Sequence, residues 1–344
     1  MRLLRPFLLA LLVLAFATTT AAAQTIKLPG GGEITVKLPA GKPSKPGKGK
    51  AKKKAPKQTL NKIQIGIAEE KPDVFTDPLF LSLGMKIARR SVAWDTFQYD
   101  WQIAEIDTWM KAAQAAGIRP LITFNRSRVE RHVIPTRAQW LQGFNEFRRR
   151  YPWVRDYAAS NESNHTPPTV HNPKLAAQYY TDMRKACRHC KVAAATLNEQ
   201  PSKKLMETWV KTFRKALGRH KPKYWAIHNY YGANNFSLSG TRRLLRATKS
   251  GEIWVTETGG LVVRRSGNFA GKLKMKEGAA HATRAWRFIF DKMLTVSPRI
   301  KRAYLFHWSA TGPTDTWDSG LVGPDGVPRG GLTILQQKLK LKKR

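Results

Sequence analysis

Eight short apolar or β-branched runs recur through residues 62–308, and amphipathic stretches separate them. They read as strands at Lys62–Ala68, Lys86–Trp94, Ile118–Phe124, Val154–Ser160, Lys191–Leu197, Tyr224–Asn229, Glu252–Thr256 and Arg302–Trp308. Their ends recur every 25–37 residues up to the seventh, the interval a β-loop-α-loop repeat needs. The last interval is 51 residues and holds an additional basic loop from Val263 to Lys276.

The intervening stretches have helical starts and stops. Trp101–Ala116 puts Ile103, Ile106, Trp109 and Met110 on one face. Thr136 is placed to cap Arg137–Arg149, and Asn172-Pro173 to open Lys174–Cys187 with proline at the first helical position. Ser239 is placed to cap Gly240–Ala247, and Glu277–Thr295 and Gly331–Leu339 read as further helices. Near-continuous apolar strands alternating with helices predict a parallel sheet covered on its outer side. An open doubly wound sheet would want a glycine-rich phosphate turn after the first strand, and "IGIAEEKPD" has none. The expected fold class is therefore α/β, a closed (β/α)8 TIM barrel over residues 61–344.

Two segments precede it. Residues 1–23 carry a short positive start, an apolar core from Phe7 to Phe16 and an Ala21-Ala22-Ala23 cleavage pattern, which is the form of a secretory signal peptide. Residues 24–60 are expected to be a linker: Gly41–Lys57 is mostly Lys, Pro and Gly and cannot build a core. Within it the echo of IKLP and VKLP around three glycines is either a short hairpin or more linker. A secreted or cell-wall-associated protein is the expectation. The chain's net charge is +38, and residues 1–60 hold only 12 of its 61 Lys and Arg and one of its 23 acids, so the remainder stands at +27. Such a surface favours anionic partners, a cell-wall polymer among them. No nucleic-acid recognition motif accompanies it. Cys187 and Cys190 in "CRHCK" lack the second pair of a structural zinc site, and in an exported chain a local disulfide at a helix end is expected.

Function in such a barrel sits at the C-terminal strand ends. The residues there are unusually polar. The fourth run ends "AASNESNH", with Asn161 and Glu162, and the seventh ends on Glu257 ahead of two glycines. Arg89, Arg90 and Trp94 lie on the second run; His228, Asn229 and Tyr230 end the sixth; His307 and Trp308 end the eighth; Glu199 follows the fifth. Two carboxylates facing each other across a barrel mouth are the apparatus of glycoside hydrolysis, one held ionised and the other holding a proton.

This set resembles the large clan of retaining (β/α)8 glycoside hydrolases that includes the family 5 cellulases and family 39 xylosidases. The resemblance spans residues 61–335. It implies Glu162 as acid/base, Glu257 as nucleophile and Asn161 as the partner of a substrate 2-hydroxyl. It further implies Arg89, His228 and Tyr230 as support and Trp308, with Trp94, as flat faces for a sugar ring. Members of the clan often read Asn-Glu-Pro where this chain has Asn-Glu-Ser163.

Other readings of these residues are structural. Glu199 either lines the cleft or pairs with a base, His307 points away from the lumen by alternation, and Trp317 either edges a sugar subsite or closes the barrel. No His, Asp or Glu cluster has metal-ligand spacing and no nucleophilic serine turn is present, so neither metal nor cofactor is expected. The expected partner is a carbohydrate substrate, a polysaccharide or glycoconjugate outside the cell. The alternative is a barrel that holds a glycan without cutting it, tethered to an anionic wall.

Overall fold

A computed structural model describes residues 24–27, 33–36, 59–199, 203–265, 276–312 and 314–343. The signal peptide (1–23) and the Lys/Pro/Gly tether lie outside the described residues. In the linker the IKLP/VKLP echo is an antiparallel pair, Gln24–Lys27 against Glu33–Val36, within a unit separate from the barrel. Among the described residues no helix is long and apolar enough to cross a membrane.

The second unit is a closed barrel of eight parallel strands. They are β1 (Gln64–Ala68), β2 (Ile87–Ala93), β3 (Arg119–Asn125), β4 (Asp156–Ala158), β5 (Lys191–Asn198), β6 (Tyr224–His228), β7 (Glu252–Thr258) and β8 (Ile300–Phe306). β8 pairs with both β7 and β1 and closes the ring. A helix follows each strand: α1 (Pro78–Ser82), α2 (Asp100–Ala115), α3 (Arg137–Arg150), α4 (Pro173–Ala186), α5 (Lys203–Ala216), α6 (Ser239–Thr248), α7 (Ala279–Phe288) and α8 (Gly330–Lys343).

Side-chain caps explain several of the helix starts. Thr136 and Gln139 form a reciprocal capping box at α3, and the Asn172 side chain accepts from the Leu175 N–H at α4. Ser239 does not cap α6; a carboxylate from another strand end does so, as described below. Helix α5 has no predicted counterpart, although Met206, Trp209, Val210 and Phe213 follow helical spacing and are buried. The predicted helix at Glu277–Thr295 is shorter, α7 passing into one π-turn at Ile289–Met293.

The lumen is filled in layers. One residue from each strand forms the middle layer: Ala68, Ile87, Leu121, Ala158, Ala193, Ala226, Trp254 and Tyr304. Four alanines offset the bulk of Trp254 and Tyr304, so small side chains make room for large ones within the lumen. Below it the buried Arg302 meets Asp156 at 2.6 Å and lies 4.2 Å over the Trp254 ring. The outer faces of the strands join the helices in the main apolar core.

β5, β7 and β8 break their alternation, and the breaks in β5 and β7 serve the mouth of the barrel. Pairing of β6 with β7 runs Ile227↔Val255 and then His228↔Glu257, so β7 holds one extra residue. Trp254 faces the lumen and Val255 faces the helices; strict alternation would turn residue 257 outward as well. The bulge restores Glu257 to the lumen. On β5 the step from Ala193↔Tyr224 to Thr196↔Ala226 also contains one extra residue, which keeps Asn198 facing inward.

Removing the carboxylate beneath the middle layer is a test of this packing. Asp156→Ala strands Arg302 in the interior, and urea unfolding should show a loss of about 3–5 kcal/mol. Pairing it with Arg302→Met should return most of that stability; an undiminished loss in the double variant would assign it to packing instead of charge.

Candidate active site

Glu257 is held at both oxygens. The Arg89 guanidinium meets its Oε1 at 2.5 Å and the Tyr230 hydroxyl donates to its Oε2 at 3.0 Å. Arg89 is itself fully buried and fixed by two further bonds, Nε to Thr123 Oγ1 at 3.0 Å and Nη2 to Asn161 Oδ1 at 2.8 Å. β2, β3, β4 and β7 are thereby joined through one side chain. Burial and the neighbouring Glu257 charge push the Tyr230 phenol well above its ordinary range, so it stays a donor. The choice of Arg89 over its neighbour Arg90 agrees with the observed phase, because Ile87, in the lumen layer, shares its face.

Glu162 stands on the opposite side of the mouth. β4 ends at Ala158, but backbone bonds from Asn161 N to Phe124 O (2.7 Å) and from Ser163 N to Thr196 O (2.8 Å) carry the chain on between β3 and β5. Glu162 adopts φ 39°, the left-handed region that a side chain seldom occupies. Its Oε1 accepts from Asn198 Nδ2 at 2.7 Å and lies 3.0 Å from His228 Nδ1. The other ring nitrogen, Nε2, is 3.5 Å from Glu257 Oε1. One buried imidazole therefore spans both acids. Burial alone pushes the Glu162 carboxyl up, but the His228 hydrogen bond, with the charges of His228, His165 and Arg89, outweighs burial and holds it below the ordinary range.

The cleft is a groove of about 960 Å³. Glu257, Arg89, Asn161 and Phe306 line its inner end; from there it runs outward over the end of β2 to Trp101 and Glu105 on α2. The two tryptophans expected as sugar platforms are absent from it. Trp94 follows Ala93 on the helix side of β2 and is buried in the outer core. Trp308 is drawn off the lumen by bonds from its backbone N–H to Glu69 Oε2 (2.8 Å) and from its indole to Asp77 Oδ2 (2.7 Å). β8 ends two residues earlier than predicted, so Phe306 takes the place at the cleft floor.

The remaining candidates have structural settings. Glu199 is buried behind the mouth, accepting from Gly232 N at 2.5 Å and from the Thr241 backbone and hydroxyl at the start of α6. It caps the helix that Ser239 was expected to cap. His307 lies 3.8 Å from Asp318, which a paired Arg329 holds ionised at 2.7 and 2.8 Å. Trp317 packs edge-on against Tyr230 with ring centres 4.9 Å apart. Cys187 and Cys190 form the expected disulfide at the end of α4. Asn198 and Phe306 were not foreseen: the first was hidden by the β5 bulge and the second by the shift in β8.

An eight-stranded parallel barrel with Glu257 on an elongated cleft, and His228 between it and Glu162 in the turn after β4, has the form of a glycosidase catalytic domain. The sequence agrees: residues 93–277, more than half of the chain, match the model of the glycosyl hydrolase catalytic core, and the chain belongs to that family. No curated protein matches it in sequence. Among solved structures it is similar to a family 39 glycoside hydrolase from the gut symbiont Bacteroides cellulosilyticus, at 16% identity and TM-score 0.54, over 83% of this chain and 64% of that one. Fungal β-1,4-galactanases align at 13% identity and TM-score 0.58, over 79% of this chain and 98% of theirs. A family 128 endo-β-1,3-glucanase from Lentinula edodes aligns at 14% and 0.51, over 79% and 98%. At these identities the likeness is one of fold.

Glu199 makes the stability of this framework depend on pH. Burial raises its carboxyl to about 7, the bonds from Gly232 and Thr241 offsetting only part of that cost. The fold therefore keeps a proton that the unfolded chain has lost, so stability is greatest below an ordinary carboxyl pKa and falls as pH rises to about 7. At about 1.4 kcal/mol per unit, the loss amounts to roughly 3 kcal/mol. Unfolding midpoints measured from pH 4 to 8 should show this decline in the wild type and a flatter profile in Glu199→Gln; parallel profiles would remove Glu199 as the cause.

Proposed function

We propose that this protein is an exported, retaining glycoside hydrolase that cleaves O-glycosidic bonds of an extracellular or cell-wall polysaccharide or glycoconjugate. The observation that carries the reading is the clamp on Glu257. A carboxylate fixed at one oxygen by Arg89 and at the other by Tyr230 is immobile and faces a permanent cation, the setting required of a nucleophile. Glu162, across the mouth, has no such cation clamp; its Oε1 lies 3.0 Å from His228 Nδ1 and accepts from Asn198 Nδ2.

In the first step a Glu257 oxygen attacks the anomeric carbon while Glu162 transfers a proton to the departing glycosidic oxygen. The Asn161 side chain already accepts from Arg89 through Oδ1, which leaves its amide N–H groups for the 2-hydroxyl. In the second step Glu162 takes a proton from water, the oxygen attacks the same carbon, and Glu257 is released. The leader in residues 1–23 motivates export, and the basic run at 41–57 motivates an anchor to an anionic wall polymer.

Reducing-sugar release from a broad polysaccharide panel tests the chemistry. Glu162→Ala should lower turnover on the order of 10²- to 10⁴-fold, with azide restoring part of it as a glycosyl azide of retained configuration. Glu257→Ala should be inactive. An azide product of inverted configuration from Glu162→Ala would reject retention. No release at all, with equal glycan binding by the wild type and both variants, would reject catalysis.

The His228 bridge makes a separate prediction. Its contact lowers Glu162, and the acid works only while protonated, so rate is lost as pH rises through that group's range. In His228→Asn the basic limb of kcat/KM should move to higher pH, whatever happens to kcat; an unmoved limb would detach the proton from this pair.

A further inference from the structure

The outer arm of the cleft is more basic than its inner end requires. Arg89 is spent on Glu257, and Arg128 is spent on Glu105 at 2.5 Å while lying 4.4 Å over the Trp101 ring. Arg90 reaches two acids only loosely, at 3.3 Å to Glu70 and 3.7 Å to Glu105, and its buried Nε has no partner among the described residues. Arg126 also lines the groove, at the end of β3, and among the described residues no carboxylate meets its guanidinium. Its backbone N–H is fixed by Asn125 Oδ1 at 2.9 Å, and Asn125 in turn donates to Ser91 at 3.0 Å, so the position is held from β2 and β3. Beside these cations Trp101 is 44% exposed, a large aromatic left open to the groove wall.

A pyranose with a carboxylate at its edge matches this arrangement. The ring's C–H face covers the exposed indole, and the planar carboxylate matches the fork of a guanidinium. The groove volume, near the top of the range of about 300–1,000 Å³ found for ligand sites, leaves room for sugar rings beyond the one at Glu257. We infer that the arm between Trp101 and Arg126 is a distal subsite for a uronic acid residue, and that the substrate is an acidic polysaccharide bound across the mouth. The inference rests on the glycoside hydrolase reading above and adds its substrate class.

The test uses the full chain carrying Glu257→Gln, which binds without turnover. Affinity electrophoresis in 0.3 M salt compares pectate, alginate, hyaluronan and glucuronoxylan with their carboxyl-reduced forms. At least one acidic polymer should be retained about tenfold more tightly than its reduced form. Adding Arg126→Gln should abolish that preference, and adding Trp101→Ala should weaken retention. Lys211→Gln, an equal charge change on exposed α5, should leave it alone. Equal effects of Arg126→Gln and Lys211→Gln, or no preference for any acidic form, would overturn the subsite. Hydrolysis of a neutral polymer that is abolished by Glu257→Ala and untouched by Arg126→Gln would leave the glycosidase standing and the inference fallen. Selective retention dependent on Arg126, without hydrolysis of any polymer by the wild type, would uphold the subsite and reject the chemistry.

Discussion

A single buried guanidinium organises the mouth of this barrel. Arg89 has almost no contact with water, and a charge so placed is tolerated only with its donors satisfied. Thr123, Asn161 and Glu257 supply the acceptors, from three other strands. The cost of burying the cation is therefore offset by the same contacts that set Asn161 and Glu257 in position. Geometry of the site and solvation of its central charge are one problem with one solution.

Two charged layers share the lumen without interfering. Arg302 and Asp156 neutralise each other at the closed end, and the Arg89 cluster occupies the open end. Between them lies the ring of apolar side chains contributed by all eight strands. Charges separated by such a layer are left to their local partners. At the open end the partners are unequal: Glu257 has a permanent cation, whereas Glu162 has an imidazole and an amide. Chemically identical side chains thus acquire different electrostatic settings from what surrounds them.

The architecture was legible because it is repetitive. Eight apolar runs at regular spacing specify a barrel, and the thirty or so residues between them leave room for little besides a helix. Glu162, Glu257, Arg89, His228 and Tyr230 were legible as polar residues at strand ends, and the structure brings all five together. Side-chain direction beyond a strand's last regular pair was not. Trp308 was assigned to the sugar because it is aromatic and near an end, yet Glu69 and Asp77 hold it elsewhere, and these partners lie more than 230 residues away in sequence. Trp94 failed for a simpler reason, since it has the wrong phase on β2. Trp101 and Arg126 face the cleft from a helix and a loop, where no strand period points to them.

The bulge in β7 shows where the address of the proposed catalytic carboxylate is written. Identity at position 257 supplies the carboxylate, but its destination depends on parity, the count of residues since the last one that faced inward. One extra residue changes odd to even and delivers the acid to the cleft instead of to the helices. A one-residue deletion between Trp254 and Glu257 would keep every functional side chain in the sequence while exiling the carboxylate from the lumen. For this strand, length is as much a part of the active site as chemistry.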